Sequence, residues 1–177
     1  LEGGLWCFVV VTNPGSDRLE SVSARLRLAS PGGEYQEADA YSPLNLLEPG
    51  TQLSLAAYFP GPLPQEVQIT AEILTALPVP LDDSRYLPAR LEGMAFEVAP
   101  GGLSAEVSGE ILVEGETQAQ TVWVALTAYD TAGKVVGLRR WENEQPLPVG
   151  ERLAFVAQVY SLGPAIARVE AQVEARP

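Results

Sequence analysis

The sequence of 177 residues contains no histidine, one cysteine (Cys7) and one lysine (Lys134). Without histidine, the commonest general base and the commonest neutral metal ligand are both missing. A single cysteine excludes an internal disulfide, and its place in an apolar run predicts a buried, unreactive thiol. No nucleophile elbow, Walker loop, dinucleotide fingerprint or paired-cysteine zinc signature occurs. These absences predict a protein that is not an enzyme and needs no cofactor.

Basic residues are scarce: 11 Lys and Arg stand against 23 Asp and Glu, for a net charge of −12. Both halves of the chain are acidic, so neither offers the basic surface that binds nucleic acid or an anionic membrane. No apolar run approaches the roughly 20 residues of a membrane-spanning helix. We therefore expect no nucleic-acid partner and no membrane insertion within this segment.

The chain matches itself at an offset of 100 residues. The matches fall on apolar positions and turn glycines, the positions that a backbone specifies. They pair Val22, Leu26, Gly33, Leu47, Gly50, Leu53, Ala57, Pro64 and Ala71 with Val122, Leu126, Gly133, Leu147, Gly150, Leu153, Ala157, Pro164 and Ala171. The offset predicts two tandem copies of one domain.

Both copies show short alternating segments separated by Gly and Pro turns, without a convincing helical period. Strands are predicted at 21–29, 34–41, 52–59 and 66–74, and again at 121–130, 134–141, 152–160 and 166–174, with a further strand at 90–99 assigned to the second copy and a mixed apolar segment at 103–113. The predicted fold is all-β, with two tandem antiparallel immunoglobulin-like β-sandwich domains related by an internal repeat. The expected boundaries are 1–79, a Pro-rich linker at 80–89, and 90–177.

Residues 101–177 resemble a known family. The run Leu126-Thr127-Ala128-Tyr129-Asp130 and the later turn Leu147-Pro148-Val149-Gly150-Glu151 with Phe155 look like the motifs of the FxLYD family. Leu126 replaces the family's first Phe, Val149 replaces a Pro, and the first copy departs further. The resemblance implies small immunoglobulin-like sandwiches of bacterial or archaeal surface proteins, without a general catalytic activity.

Aromatic residues of the second copy are the candidate binding residues. If Val122 and Leu126 face the core, Trp123 and Tyr129 face outward on the same strand. Exposed aromatics mark contact surfaces, so Trp123, Tyr129 and Trp141 are candidates for a protein partner or a glycan, with packing under a loop as the alternative.

Carboxylate pairs offer the remaining chemistry. The pair Asp82 and Asp83, near the joint between the copies, is the candidate site for structural calcium, with a solvated turn as the alternative. Asp130 opens a predicted turn, where its side chain is expected to accept backbone N–H groups.

The sequence thus favours a non-enzymatic module of a bacterial envelope or secreted protein, acting as a spacer, an assembly domain or a protein-binding domain. Self-association is one possible form of that role. The alternative is a carbohydrate-binding module that uses exposed aromatics, and a hydrolase working with carboxylates alone is a third. The expected location is extracytoplasmic.

Overall fold

The computed structural model describes residues 3–64 and 66–177. The fold is all-β, and every strand pair is antiparallel. The strands are β1 (Leu5–Thr12), β2 (Arg18–Ala29), β3 (Tyr35–Tyr41), β4 (Leu46–Leu47), β5 (Gln52–Phe59), β6 (Gln68–Val79), β7 (Ala89–Val98), β8 (Ser104–Val113), β9 (Thr121–Tyr129), β10 (Val135–Asn143), β11 (Arg152–Tyr160) and β12 (Arg168–Arg176). The chain divides into two compact units, Leu1–Leu81 (unit 1) and Asp82–Pro177 (unit 2).

Unit 1 contains six strands in the order β1-β5-β3-β2-β4, with β6 also paired to β2. Apolar residues alternate with polar ones along β2 and β5, so that one face of each strand is buried. The buried side chains include Leu26, Leu28, Leu53, Leu55 and Phe59. This alternation places the core of unit 1 against one face of these strands.

Unit 2 contains two three-stranded sheets, β10-β9-β12 and β11-β8-β7, as expected of a β-sandwich. Side chains from both sheets form one buried cluster. Its largest fully buried members are Ile111, Leu126, Val107, Val113, Val122, Val124 and Val159. Strand β7 pairs with β8, and Leu91 of β7 packs against this cluster.

Two of the strand pairs agree in register at the offset of 100, whereas the pair β2–β3 differs by one residue from β9–β10, since Leu26 lies opposite Ala38 and Leu126 lies opposite Arg139. Cys7 lies opposite Ala57 in unit 1, and Val107 lies opposite Ala157 in unit 2. Strands β2 and β6 pair with the register of β9 and β12, for example Leu26 with Ala71 and Leu126 with Ala171. Among the residues that the structure describes, β7 has no counterpart in unit 1.

The predicted turn after β9 is confirmed in detail. Gly133 has a φ of +76°, the left-handed conformation that glycine adopts without strain. The Oδ1 atom of Asp130 accepts the backbone N–H groups of Ala132 and Lys134, each at 2.9 Å. The ranges predicted for β5 and β11 also agree with the structure, whereas β2 and β6 are longer than predicted.

Candidate functional site

Strand β9 alternates as the sequence predicts. Val122, Val124, Leu126 and Ala128 belong to the core cluster of unit 2, and Trp123 and Tyr129 lie on the opposite face. The expected exposure of that face is wrong for Tyr129, which is only 4% exposed. Trp123 is partly buried. The cause is a cover of long side chains from the two neighbouring strands.

Two arginines cover Trp123. The guanidinium carbons of Arg140 on β10 and Arg176 on β12 lie 4.6 Å and 4.4 Å from the ring centroid. Arg176 is held there by Glu174, whose carboxylate lies 2.6 Å from Nη2 of Arg176. Glu174 is buried. The attraction between the cations and the aromatic face therefore uses the ring surface that a ligand would need.

Tyr129 has both its ring and its hydroxyl engaged. The guanidinium carbon of Arg168 lies 3.7 Å from the ring centroid. The hydroxyl donates a hydrogen bond to Oε2 of Glu170 at 3.0 Å, and Glu170 also pairs with Arg168. Tyr129 is thus a structural residue of the β9–β12 pair.

Trp141 lies on the core side of β10. Its ring packs against the core cluster of unit 2, with its centroid 5.5 Å from that of Phe155 and the two planes inclined by 44°. The three candidate aromatics therefore do not form one surface, because Trp141 lies on the other face of the sheet from Trp123 and Tyr129.

The carboxylate of Asp83 pairs with Arg85. Its Oδ2 lies 2.8 Å from Nη2 of Arg85, and its Oδ1 accepts the backbone N–H of Arg85 at 2.9 Å. Within residues 3–64 and 66–177, no group of three or more His, Cys, Asp or Glu side chains could hold a metal ion. Asp82 and Asp83 therefore gain no further carboxylate ligand in the part described.

Unit 1 carries the exposed aromatic surface that the sequence reasoning missed. Trp6 on β1 and Tyr58 on β5 lie opposite each other and are 48% and 47% exposed. Their ring centroids are 5.3 Å apart. Tyr41 on β3 lies opposite Ala56, so it shares this face, and it is exposed as well. We call Trp6, Tyr41 and Tyr58 the aromatic patch.

A charged pair lies beside the aromatic patch. Asp39 is two residues before Tyr41 on β3 and therefore points to the same face. Its Oδ1 lies 2.9 Å from Nε of Arg25 on β2. The hydrogen bond from Arg25 lowers the pKa of Asp39, and the same contact raises the pKa of Arg25. The patch thus has an apolar centre and a charged border.

Carboxylates line two clefts of unit 1, and the one between β2, β3 and β6 is lined by Arg25, Arg27, Glu37, Thr70, Ala71 and Glu72. Every buried side-chain nitrogen or oxygen in the described part of the chain has a hydrogen-bond partner. A cleft beside β3 is lined by Leu28, Glu34, Tyr35, Gln36, Pro62, Leu63 and Pro64, and Glu34 supplies its only carboxylate among these residues. A hydrolase that uses two carboxylates needs a second one across the cleft.

Comparison with known proteins adds no assignment to this geometry. No protein-family model matches the chain. A search of the curated proteins finds no matching sequence. Among the described residues, no helix has the length and apolar character needed to cross a membrane.

Proposed function

We propose that the chain is a non-enzymatic module of a bacterial envelope or secreted protein, built from two tandem immunoglobulin-like domains that arose by duplication. It acts as a spacer, an assembly domain or a protein-binding domain, and protein binding is the role argued below. The FxLYD resemblance of residues 101–177 is part of this proposal, as is the extracytoplasmic location.

The duplication is supported by the strand pairing. Cross-strand partners such as Leu26 with Ala71 recur as Leu126 with Ala171, although few of the flanking residues are identical. Register depends on which residues face the core, and a shift by one residue would turn every side chain to the other face. Two of the three comparable strand pairs share their registers at this offset, and the third departs by one residue at the bulge between Val135 and Gly137.

Protein binding is supported by the aromatic patch. Tyr and Trp are enriched at protein interfaces, because they bury a large apolar area while keeping a polar atom. Trp6, Tyr41 and Tyr58 are exposed, and no arginine lies over the ring of Trp6 or Tyr58 in the contacts that the structure shows. This contrast with the arginine-covered Trp123 is the observation that carries the proposal.

Carbohydrate binding remains the alternative, now through the aromatic patch rather than through Trp123 or Tyr129. The exposed ring of Trp6 favours it, because sugars stack on exposed aromatic rings. The planes of Trp6 and Tyr58 are inclined by 47°, so they do not form one flat platform. Titration of an oligosaccharide panel, followed by tryptophan fluorescence, tests this alternative: a saturable change that Trp6→Ala removes would support it.

Site-specific photo-cross-linking in living cells of the organism that encodes the protein tests the protein-binding function. A photoreactive phenylalanine derivative replaces Tyr58 in one sample and Tyr160 in another. Tyr160 is the matched control, because it is an exposed tyrosine on a strand of unit 2. We expect one defined protein adduct from position 58 and none from position 160.

The same experiment can contradict the proposal. The adduct should disappear in a Trp6→Ala background, because Trp6 forms half of the exposed ring pair. No protein adduct at position 58, or equal adducts at positions 58 and 160, would show that the aromatic patch does not bind a specific protein.

A further inference from the structure

Strand β1 has one free edge. In the described part of the chain, β5 is its only partner, whereas the corresponding strand β8 pairs with both β11 and β7. The residues of β1 read Leu-Trp-Cys-Phe-Val-Val-Val-Thr, without a charge or a proline. Natural proteins protect a free edge with lysine, proline or a bulge, and an uncharged β-branched edge pairs readily with another strand.

The hydrogen-bonding groups of Phe8 and Val10 point to this free edge. Both the N–H and the C=O of Asn13, directly after β1, bond toward β5, to Thr51 and Gly50. In an antiparallel pair, this direction alternates from residue to residue. Val11 and Val9 therefore bond to β5, and Val10 and Phe8 offer their backbone groups to the open side.

Strand β6 leaves apolar side chains uncovered on the core side. Ile69 and Ile73 lie opposite Leu28 and Ala24 of β2, both of which are buried core residues. Ile69 and Ile73 are nevertheless each 51% exposed. At the corresponding position in unit 2, Val169 is only 3% exposed. The core of unit 1 is therefore open between β1 and β6.

Strand β7 fills the corresponding place in unit 2. It pairs with β8 from Ala89 to Val98, packs against β12, and inserts Leu91 against the core cluster. One extended strand thus closes the edge of β8 and covers β12 at the same time. The opening in unit 1 has both of these features, a free strand edge and an uncovered apolar strip.

We propose that unit 1 is a strand acceptor: an extended segment of another polypeptide, with alternating apolar and polar side chains, pairs antiparallel with β1 and covers Ile69 and Ile73. Main-chain hydrogen bonds to Phe8 and Val10 supply the pairing, and the apolar side chains of the segment supply the selectivity. This inference rests on the proposed protein-binding function and names the form of its partner.

A donated strand fits better than a second copy of the chain. Two β1 strands could pair with each other across a two-fold axis, and this would satisfy the edge. Such pairing extends the sheet of β1 and leaves Ile69 and Ile73 on β6 exposed. Only a segment placed in unit 1 as β7 is placed in unit 2 both pairs with β1 and covers Ile69 and Ile73.

Residue-resolved amide exchange of the whole chain tests the proposal, with a capped synthetic peptide of the sequence of residues 87–98 as the probe. At saturating peptide, we expect exchange at Phe8 and Val10 to slow by about tenfold or more, with little change at Val9 and Val11. A peptide of the same composition, with its apolar residues moved by one position, is the control and should leave exchange unchanged.

Two variants test the free edge of β1 and the uncovered apolar strip of β6 separately. Val10→Pro removes an N–H group that faces the free edge, and Val10→Thr is its matched control. Ile73→Lys places a charge on the uncovered strip at an exposed position, so unit 1 should still fold. Val10→Pro and Ile73→Lys should abolish the slowing at Phe8, which Val10→Thr should preserve.

Two results would overturn the proposal. The first is unchanged exchange at Phe8 and Val10 with saturating peptide. The second is slow exchange at both residues without peptide, together with the mass of a dimer, since a second copy would then occupy the edge. Cross-linking through Tyr58 separates this failure from that of the proposed function, because a protein adduct there does not require strand donation.

Discussion

Arg176 links a buried carboxylate to an aromatic ring in unit 2. It pairs with Glu174 through Nε and Nη2, at 2.7 Å and 2.6 Å from Oε1, and its guanidinium lies over Trp123. Glu174 is 5% exposed, and its Oε1 accepts both of these contacts from Arg176. Together with Arg140, this pair covers the ring of Trp123.

Arg176→Ala should destabilise the protein by about 1–2 kcal/mol, because it removes a cation–π contact and a partner of a buried carboxylate. The tryptophan emission should shift to the red as the ring gains contact with water. Urea unfolding followed by fluorescence measures both effects. Arg139→Ala, at an exposed position on β10, is the control, and a loss as small as that of Arg139→Ala would contradict this role of Arg176.

Asp39 gives unit 1 a pH-dependent contribution to stability. The hydrogen bond from Arg25 lowers the pKa of Asp39 below its ordinary value of 3.8. The contribution is therefore fully present above the pKa of the unfolded chain and is lost as pH falls from about 3.8 through the lower, folded value. We expect Asp39→Asn to weaken the loss of stability in this acid range, as measured by urea midpoints at stepped pH. An unchanged acid profile would contradict the ion pair.

The close approach of β10 to β11 depends on Gly137. Strand β10 has a bulge between Val135 and Gly137. A Cβ atom at Gly137 would lie 2.1 Å from the carbonyl oxygen of Tyr160, so the two strands would have to separate. The same would not hold at Gly133, where nothing lies within 4 Å and the constraint is the positive φ.

Gly137→Ala should therefore cost about 2–3 kcal/mol through overpacking. Gly133→Ala should cost about 1 kcal/mol through backbone strain alone. Thermal unfolding of the two variants measures the difference, and Gly133→Ala serves as the matched control. Equal losses would show that the contact with Tyr160 is relieved without cost.

Period-two alternation and turn residues made the positions of many strands predictable from the sequence. Strand β11 and the turn at Asp130 agree with the prediction, because local patterns determine both. The covers over Trp123 and Tyr129 were not predictable in this way, because their arginines come from β10 and β12. The exposure of Trp6 was missed for a related reason: an apolar run indicates burial, and only the pairing of β1 with β5 shows that Trp6 lies beside Tyr58 on the face away from the buried Cys7.

The cores of the two units differ in how completely they are covered. Unit 2 has β7 against β8 and β12. Unit 1 leaves Ile69 and Ile73 each 51% exposed. Burying such a side chain completely contributes about 1.5–3 kcal/mol, so unit 1 forgoes about half of that contribution at each position.

Unit 1 should therefore unfold at a urea concentration about 1 M lower than unit 2. Burial raises the pKa of the Cys7 thiol, so alkylation of Cys7 reports the opening of unit 1. Fluorescence in a Trp6→Phe background reports unit 2 through Trp123 and Trp141. A midpoint for Cys7 alkylation at or above the fluorescence midpoint would contradict the difference in coverage.

The proposed function assigns binding to Trp6 in unit 1 and a structural role to Trp123 in unit 2. The most direct test measures the yield of the Tyr58 cross-linked adduct and the melting temperature in Trp6→Ala and Trp123→Ala. We predict that Trp6→Ala removes the adduct with little change in melting temperature, and that Trp123→Ala lowers the melting temperature and keeps the adduct. Loss of the adduct in Trp123→Ala under conditions where the chain stays folded, with retention in Trp6→Ala, would contradict the assignment.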